Sequence, residues 1–252
     1  MNIDLGGSNV LVTGASRGIG RSIAEHMIQS GAGVVVHYNS DRAAADAVVA
    51  ASDGRAVAIQ ADLADAAASA RLFEEARDAL GGIDVLVNNA GIAVASPLDE
   101  SLDRCAEAWN RTLAVNLVSA GVLSREAIRH FSAGSGGRII FVASRAAFRG
   151  DTPEYLAYAA SKGGMVSLSR SIARGCGKSG VKSFVIAPGF TRTEMAEEFI
   201  ERYGMELAMK DVALDRMTEP GDVAPIAVFL ASGLADHATG TTIDVNAGSY
   251  VR

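Results

Sequence analysis

Asn9-Val10-Leu11-Val12-Thr13-Gly14-Ala15-Ser16-Arg17-Gly18-Ile19-Gly20 passes from an apolar, β-branched run into a turn punctuated by three glycines. Residues 9–13 have the pattern of a buried strand, and residues 18–30 that of the helix after it. Gly14, Gly18 and Gly20 permit positive φ and close backbone approach, where a Cβ would collide with a ligand or with the strand. A helix that starts here turns its free N–H groups and its partial positive charge toward the turn, and a pyrophosphate satisfies both. The spacing Gly-x-x-x-Gly-x-Gly is looser than the Gly-x-Gly-x-x-Gly fingerprint, but its place directly after a strand points to a nucleotide. Ser16, Arg17 and Ile19 join the three glycines as candidate contacts.

The same alternation continues outward. Further strands are expected at residues 33–37, 57–59, 85–87, 138–142, 182–187 and 242–245. Helices fall between them at 41–51, with Ser40 or Asp41 as cap, at 65–80, and along a long region at 103–130. Continuous apolar strands joined by helices imply a parallel sheet covered on both faces. No linker, repeat or low-complexity segment divides the chain. Residues 1–252 are therefore expected to form one α/β domain around a doubly wound, seven-stranded parallel sheet.

Open sheets of this kind bind ligands at the carboxyl ends of their strands. The second strand ends in Val36-His37-Tyr38-Asn39-Ser40, with Asn39 a candidate contact. The acid that accepts hydrogen bonds from the ribose in NAD sites is missing at about Tyr38. Arg17 and Arg42 lie close by, and guanidinium groups suit a 2′-phosphate. Asp41 could either cap the next helix or swing back to a ribose. On balance the composition of this strand end favours NADP(H) over NAD(H). Asp62 and Leu63 close the third strand, beside the expected adenine. Asn88-Asn89-Ala90-Gly91 closes the fourth, where Asn89, Ala90 and Gly91 are candidate contacts and the asparagine amides can tie strand ends together.

Tyr158-Ala159-Ala160-Ser161-Lys162 places a phenol and an ammonium four residues apart, on one face of a helix. Tyr155 has only Ala159 at the matching position. Hydride delivery to a carbonyl builds negative charge on oxygen, which a phenol can quench. A free tyrosine titrates near 10, so reversible work at neutral pH asks for about 4 kcal/mol of phenolate stabilisation. A lysine one turn away and a nicotinamide cation have the right sign for it. Ser144 could hydrogen-bond the substrate oxygen, and Asn116 could hold a water linking Lys162 to solvent. Positioned acid–base groups of this kind contribute about 10²- to 10⁴-fold.

On residues 13–20, 88–91, Asn116, Ser144, 158–162 and Pro188-Gly189-Phe190-Thr191-Arg192-Thr193, the chain resembles the short-chain dehydrogenase/reductase family over essentially its whole length. The resemblance implies a Rossmann-type fold and an Asn–Ser–Tyr–Lys tetrad. In that scheme Asn116 orders the water relay and Ser144 orients substrate. Tyr158 is the acid/base, and Lys162 binds the nicotinamide ribose. Thr191 backbone and the Thr193 hydroxyl would contact the nicotinamide side, and the assembly would be a homotetramer or homodimer. Within the family the chain is most similar to the 3-oxoacyl-(acyl-carrier-protein) reductase type. It departs from that type in the Arg145-Ala146-Ala147-Phe148-Arg149-Gly150 loop near the expected substrate mouth. It also lacks the basic clusters that grip an acidic carrier, Lys178 being a partial substitute.

Bulk properties narrow the class. The chain is 49% hydrophobic with a net charge of −6 and interspersed charges, so no nucleic-acid-binding stripe stands out. No apolar run reaches the roughly 18 residues of a membrane span. The first five residues lack a basic-then-apolar signal pattern. Cys105 and Cys176 read as free thiols of a cytoplasmic protein. His26, His37, His130 and His237 lack metal-ligand spacing. Residues 194–217 are expected to be either a mobile lid, with Phe199, Met205, Leu207 and Met209 as wall residues, or an ordinary pair of surface helices. Two classes stay open: a carbonyl reductase or alcohol dehydrogenase acting on a small molecule, and a nucleotide-sensing protein that kept the fold without turnover.

Overall fold

The computed structural model describes residues 3–251, excepting the side chains at 195, 198, 199, 202 and 203. The chain runs β1 (Asn9–Val12), α1 (Gly18–Gln29), β2 (Gly33–Tyr38), α2 (Arg42–Ala50), β3 (Ala56–Gln60), α3 (Ala66–Leu80) and β4 (Val85–Asn88). It continues through α4 (Leu102–Leu113), α5 (Ser119–Ala133), β5 (Gly137–Val142), α6 (Ala146–Arg149), α7 (Leu156–Cys176) and β6 (Val181–Pro188). The last elements are α8 (Glu194–Tyr203), α9 (Met205–Met209), α10 (Pro220–Ala231) and β7 (Thr242–Val245).

The seven strands form one sheet in the order β3-β2-β1-β4-β5-β6-β7, and every pairing is parallel. Winding reverses between β1 and β4, so the loops that leave these neighbouring strands diverge and open a crevice at their carboxyl ends. The alternation of a pleated strand divides the core. Val10, Val12, Val34 and Val36 face α1, α2 and α10. Leu11, Val35, Leu86 and Ile139 face α3, α5 and α7. Both faces are apolar, as a sheet covered on two sides requires.

Local chemistry sets the helix ends. The Asp41 carboxylate accepts from the Ala44 N–H at 2.9 Å and caps α2. Asp65 accepts from Ala67 at 2.8 Å and caps α3, which ends at Gly81 in the left-handed region. At α1 no side chain caps the first turn, so its N–H groups face the glycine turn. The expected continuous helix over 103–130 is broken by a π turn at Ala114–Val118. The extra residue of that turn rotates the polar Asn116 inward, where it is fully buried. Among the described residues no helix is long and apolar enough to cross a membrane.

Candidate active site

The glycine turn is held rigid by side chains that converge from three strands. Thr13 Oγ1 donates to Val87 O at 3.2 Å and accepts from the N–H groups of Asn89 and Ala90 at 2.9 and 3.0 Å. Asn89 Nδ2 donates to Thr13 O and Gly14 O at 2.8 and 3.1 Å. A Cβ on Gly20 would lie 2.1 Å from Gly14 O and 2.3 Å from Asn89 Nδ2. Only glycine lets α1 begin this close to the end of β1. Gly14 and Gly18 take φ of 62° and 55°, values that favour glycine.

His37 is a member of this network that spacing alone did not reveal. Its Nδ1 accepts from the Gly14 N–H at 3.0 Å, and its Nε2 lies 3.1 Å from Ala61 O. With Nδ1 accepting, Nε2 carries the proton and donates to that carbonyl, which fixes a neutral tautomer. Burial pushes the imidazole down to about 4, against the raising effect of the Ala61 bond. The signal available in the sequence was a polar residue at an otherwise apolar strand end. The asparagine tie predicted for this region falls to Asn89. Asn88 points away, donating to Ser124 Oγ at 3.2 Å while its Oδ1 is buried without a partner.

A cleft of about 320 Å³ runs along the strand ends. Gly14, Ser16, Arg17, Gly18, Ile19, Gly20, Asn39, Asp62, Leu63, Asn89, Ala90 and Gly91 all line it, as do Tyr158, Lys162 and Thr193. Thr191 lines the larger cavity next door. Tyr38 is buried in the core, on the sheet face that it shares with Val34 and Val36. His37, Asn39, Ser40 and Asp41 are the residues of this strand end that line the cleft. Asp41 is held as the helix cap. Arg17 meets Glu194 at 2.5 Å and Arg42 meets Asp46 at 3.3 Å, both on the surface. The cleft thus fits an extended dinucleotide: glycines admit the backbone, a helix with free N–H groups faces the phosphates, and arginine borders one end.

At the other end of the cleft Ser144, Tyr158, Lys162 and Asn116 come together from β5, α7 and the π turn. Lys162 is buried and donates from Nζ to Val142 O at 2.9 Å, with Nζ 5.7 Å from the Tyr158 ring centroid. Burial pushes the ammonium down to about 8. Burial likewise pushes the Tyr158 phenol up to about 12, against the pull of a hydrogen bond with Ser144, and Asp151 adds to the rise. The expected pull of Lys162 toward phenolate is not what governs the phenol, because desolvation disfavours charge on both groups. Asn116 is more fully engaged than a simple water holder. Its Nδ2 donates to Ile92 O and Ser161 Oγ, both at 2.9 Å, and its Oδ1 accepts from the Ile92 N–H at 2.8 Å. Ser161 in turn donates to Tyr158 O at 2.7 Å. Thr193 Oγ1 caps α8, and Thr191 Oγ1 donates to Gly189 O at 3.2 Å.

Beyond Tyr158 opens a cavity of about 640 Å³, walled by Ser144, Arg145, Arg149, Tyr155, Phe190 and Leu207 among others. The 145–150 loop borders it as expected, except that Phe148 packs into the core behind it. Of the wall residues expected from the 194–217 segment, Leu207 lines the cavity, Met205 is exposed and Met209 does not reach it. Phe199 lies outside the described side chains.

Comparisons with known proteins agree with this geometry. Residues 14–250 match the family model described as enoyl-(acyl carrier protein) reductase. The chain is 38% identical over 250 residues to the L-rhamnose 1-dehydrogenase (NAD(P)(+)) of Azotobacter vinelandii, covering 96% of each chain. It is 35% identical over 245 residues to the 3-oxoacyl-(acyl-carrier-protein) reductase of Haemophilus influenzae, covering 97% of this chain and 99% of that one. A crystal structure of a short-chain dehydrogenase from Burkholderia cenocepacia in complex with NADP superposes with a TM-score of 0.90. That protein shares 35% identity over 97% of this chain and 98% of its own. Fold, glycine turn and relatives agree: this chain belongs to the short-chain dehydrogenase/reductase family and is an NAD(P)-dependent oxidoreductase.

Proposed function

We propose that the chain is an NADP(H)-linked carbonyl reductase, or alcohol dehydrogenase in reverse, with Tyr158 as the proton donor and acceptor. The observation that carries this reading is that Tyr158 lines both cavities, the nucleotide cleft and the larger pocket. A group held there meets the cofactor on one side and a small molecule on the other. The nicotinamide, when bound, supplies the hydride that reaches the carbonyl carbon. Tyr158 gives its phenolic proton to the oxygen that becomes the alcohol, and Ser144, bonded to the phenol, orients that oxygen. Burial keeps the phenol protonated at neutral pH, the form that reduction needs.

Lys162 supports the ribose side and is positioned to return the proton to Tyr158. A Cβ on Gly91 would stand 3.1 Å from Lys162 Nζ and 3.5 Å from Asn116 Oδ1, so its absence leaves a gap between these two groups. That gap supports a water relay running from Lys162 past Asn116, which otherwise acts as a positioning residue for Ile92 and the α7 backbone. Ser16, Arg17, Asn39 and the glycines would hold the adenosine phosphates, and Asp62 and Leu63 the adenine. Thr191 and Thr193 would border the nicotinamide. Arg17 beside a strand end whose aspartate is committed to a cap supports NADP(H) over NAD(H). Leu102 at 81% and Leu98 at 78% exposure support a covered face in a homodimer or homotetramer. The two free cysteines support a cytoplasmic setting.

The test is NADPH and NADH oxidation, followed by absorbance, against a carbonyl panel that includes a 3-oxoacyl thioester and a small ketone. Tyr158→Phe should lower kcat by about 10²- to 10⁴-fold with NADPH affinity retained. Undiminished turnover in that variant overturns the role given to Tyr158, and tighter binding of NADH than NADPH overturns the cofactor preference.

A further inference from the structure

The large cavity holds a cation that the catalytic reading does not use. Arg145 follows Ser144 directly, and its backbone N–H donates to Pro188 O at 2.9 Å, so its base is fixed beside the reacting end. Arg145 lines the cavity and is half-buried, with its Nη1 atom buried without a hydrogen-bond partner. Among the described arginines, three others also lack an ion pair, Arg111, Arg170 and Arg174, but all three are exposed to water. Arg145 is the one of the four that lines the large cavity, and only its Nη1 is sealed, so Nε and Nη2 keep donors open to a ligand there. A half-buried guanidinium without an ion pair gains from an anionic partner, which its remaining donors can meet in parallel.

The neighbouring charges do not supply that partner. Arg149 also lines the cavity, but Asp211 takes it up at 2.7 Å. Asp151 lies on the same wall and accepts from the Thr152 N–H at 2.9 Å, and it makes no ion pair with Arg145. Burial and the Arg149 charge both press on the Arg145 guanidinium, with Asp211 and Asp151 opposing them only in part. The cavity therefore presents one planar cation without an ion pair next to the Ser144–Tyr158 pair.

We propose that the substrate is an anionic carbonyl or hydroxy compound, an oxo or hydroxy acid whose carboxylate is received by Arg145 while its carbonyl oxygen lies at Ser144 and Tyr158. A guanidinium meets a carboxylate through parallel N–H donors, which fixes the distance and orientation of the second functional group as well as its charge. This assignment rests on the reading of Tyr158 and Ser144 as the reacting end. A neutral ester or thioester lacks the charge that the guanidinium meets and is discriminated against for that reason.

The experiment measures binding to the NADP-saturated enzyme, so that it reads out whether or not turnover follows. The probes are acetoacetate, levulinate and the ethyl ester of each, titrated by calorimetry. At least one acid should bind about tenfold or more tightly than its own ester, the scale of one charge-assisted hydrogen bond. Arg145→Gln should collapse that acid-to-ester ratio toward unity, and Arg145→Lys should restore part of it. Esters that bind as well as the acids, no measurable binding of either acid, or a ratio unchanged in Arg145→Gln would each overturn the proposal. Tyr158→Phe separates the two readings. It should keep the acid preference and lose turnover, and if it turns over normally the reacting end is misassigned while the ratio still decides the acid question.

Discussion

Lys162→Met should make the protein more stable at neutral pH while removing its activity. The lysine is buried with one hydrogen bond, to Val142 O at 2.9 Å, and burial lowers its ammonium from 10.5 to about 8. At pH 7 the amine is charged in both folded and unfolded chains, and the folded state carries the full cost of that charge. A shift of this size corresponds to about 3 kcal/mol. Methionine is close in shape and brings no charge; the hydrogen bond it forfeits is worth about 1 kcal/mol. The net gain at pH 7 is about 2 kcal/mol, or a rise in Tm of about 4–8 °C for a chain of this size. Between pH 8 and 10.5 the folded state binds fewer protons than the unfolded state, so wild-type stability rises with pH and the advantage of the variant disappears. Tyr158, held at about 12 in the folded wild type, stays protonated there across this window. Urea unfolding of both proteins without cofactor, followed by circular dichroism at pH 7 and pH 10.5, measures the difference at constant m-value. A variant less stable than wild type at pH 7, by an amount that does not change with pH, would refute the claim that Lys162 is a desolvated charge.

Two further outcomes follow from the nucleotide cleft. Gly20→Ala should destabilise by about 1–3 kcal/mol, because its Cβ meets Gly14 O at 2.1 Å and displaces the Asn89 amide at 2.3 Å. It should also weaken NADPH binding by at least about tenfold, read by fluorescence titration; an unchanged Tm with unchanged affinity would count against the clamp. Acidification should expose His37, whose imidazole is lowered by burial to about 4. From pH 6.5 down to 4 the unfolded chain gains a proton that the folded chain refuses, so the wild type should lose about 3 kcal/mol more than His37→Asn in urea titrations over that window. Equal losses in the two proteins would show that His37 does not resist protonation.

The alternation of apolar runs with amphipathic stretches was enough to determine a seven-stranded parallel sheet, since strand and helix periodicities are local properties of the chain. The glycine turn was equally legible, because its constraint operates within a dozen residues, and Tyr158 with Lys162 was legible because one helical turn joins them. What the tertiary structure decided depends on groups far apart in sequence. His37 meets Gly14 across 23 residues, and Asn116 meets Ser161 across 45, on a π turn that no periodicity announced. Tyr38 went into the core with Val34 and Val36 because residues two apart share a sheet face, and only the folded chain covers that face with helices. Whether Arg145 is an ordinary surface charge or an unpaired cation on a cavity wall is likewise invisible along the chain. Burial is a property of everything packed around a group, and burial sets the proton affinities of Tyr158, Lys162 and His37.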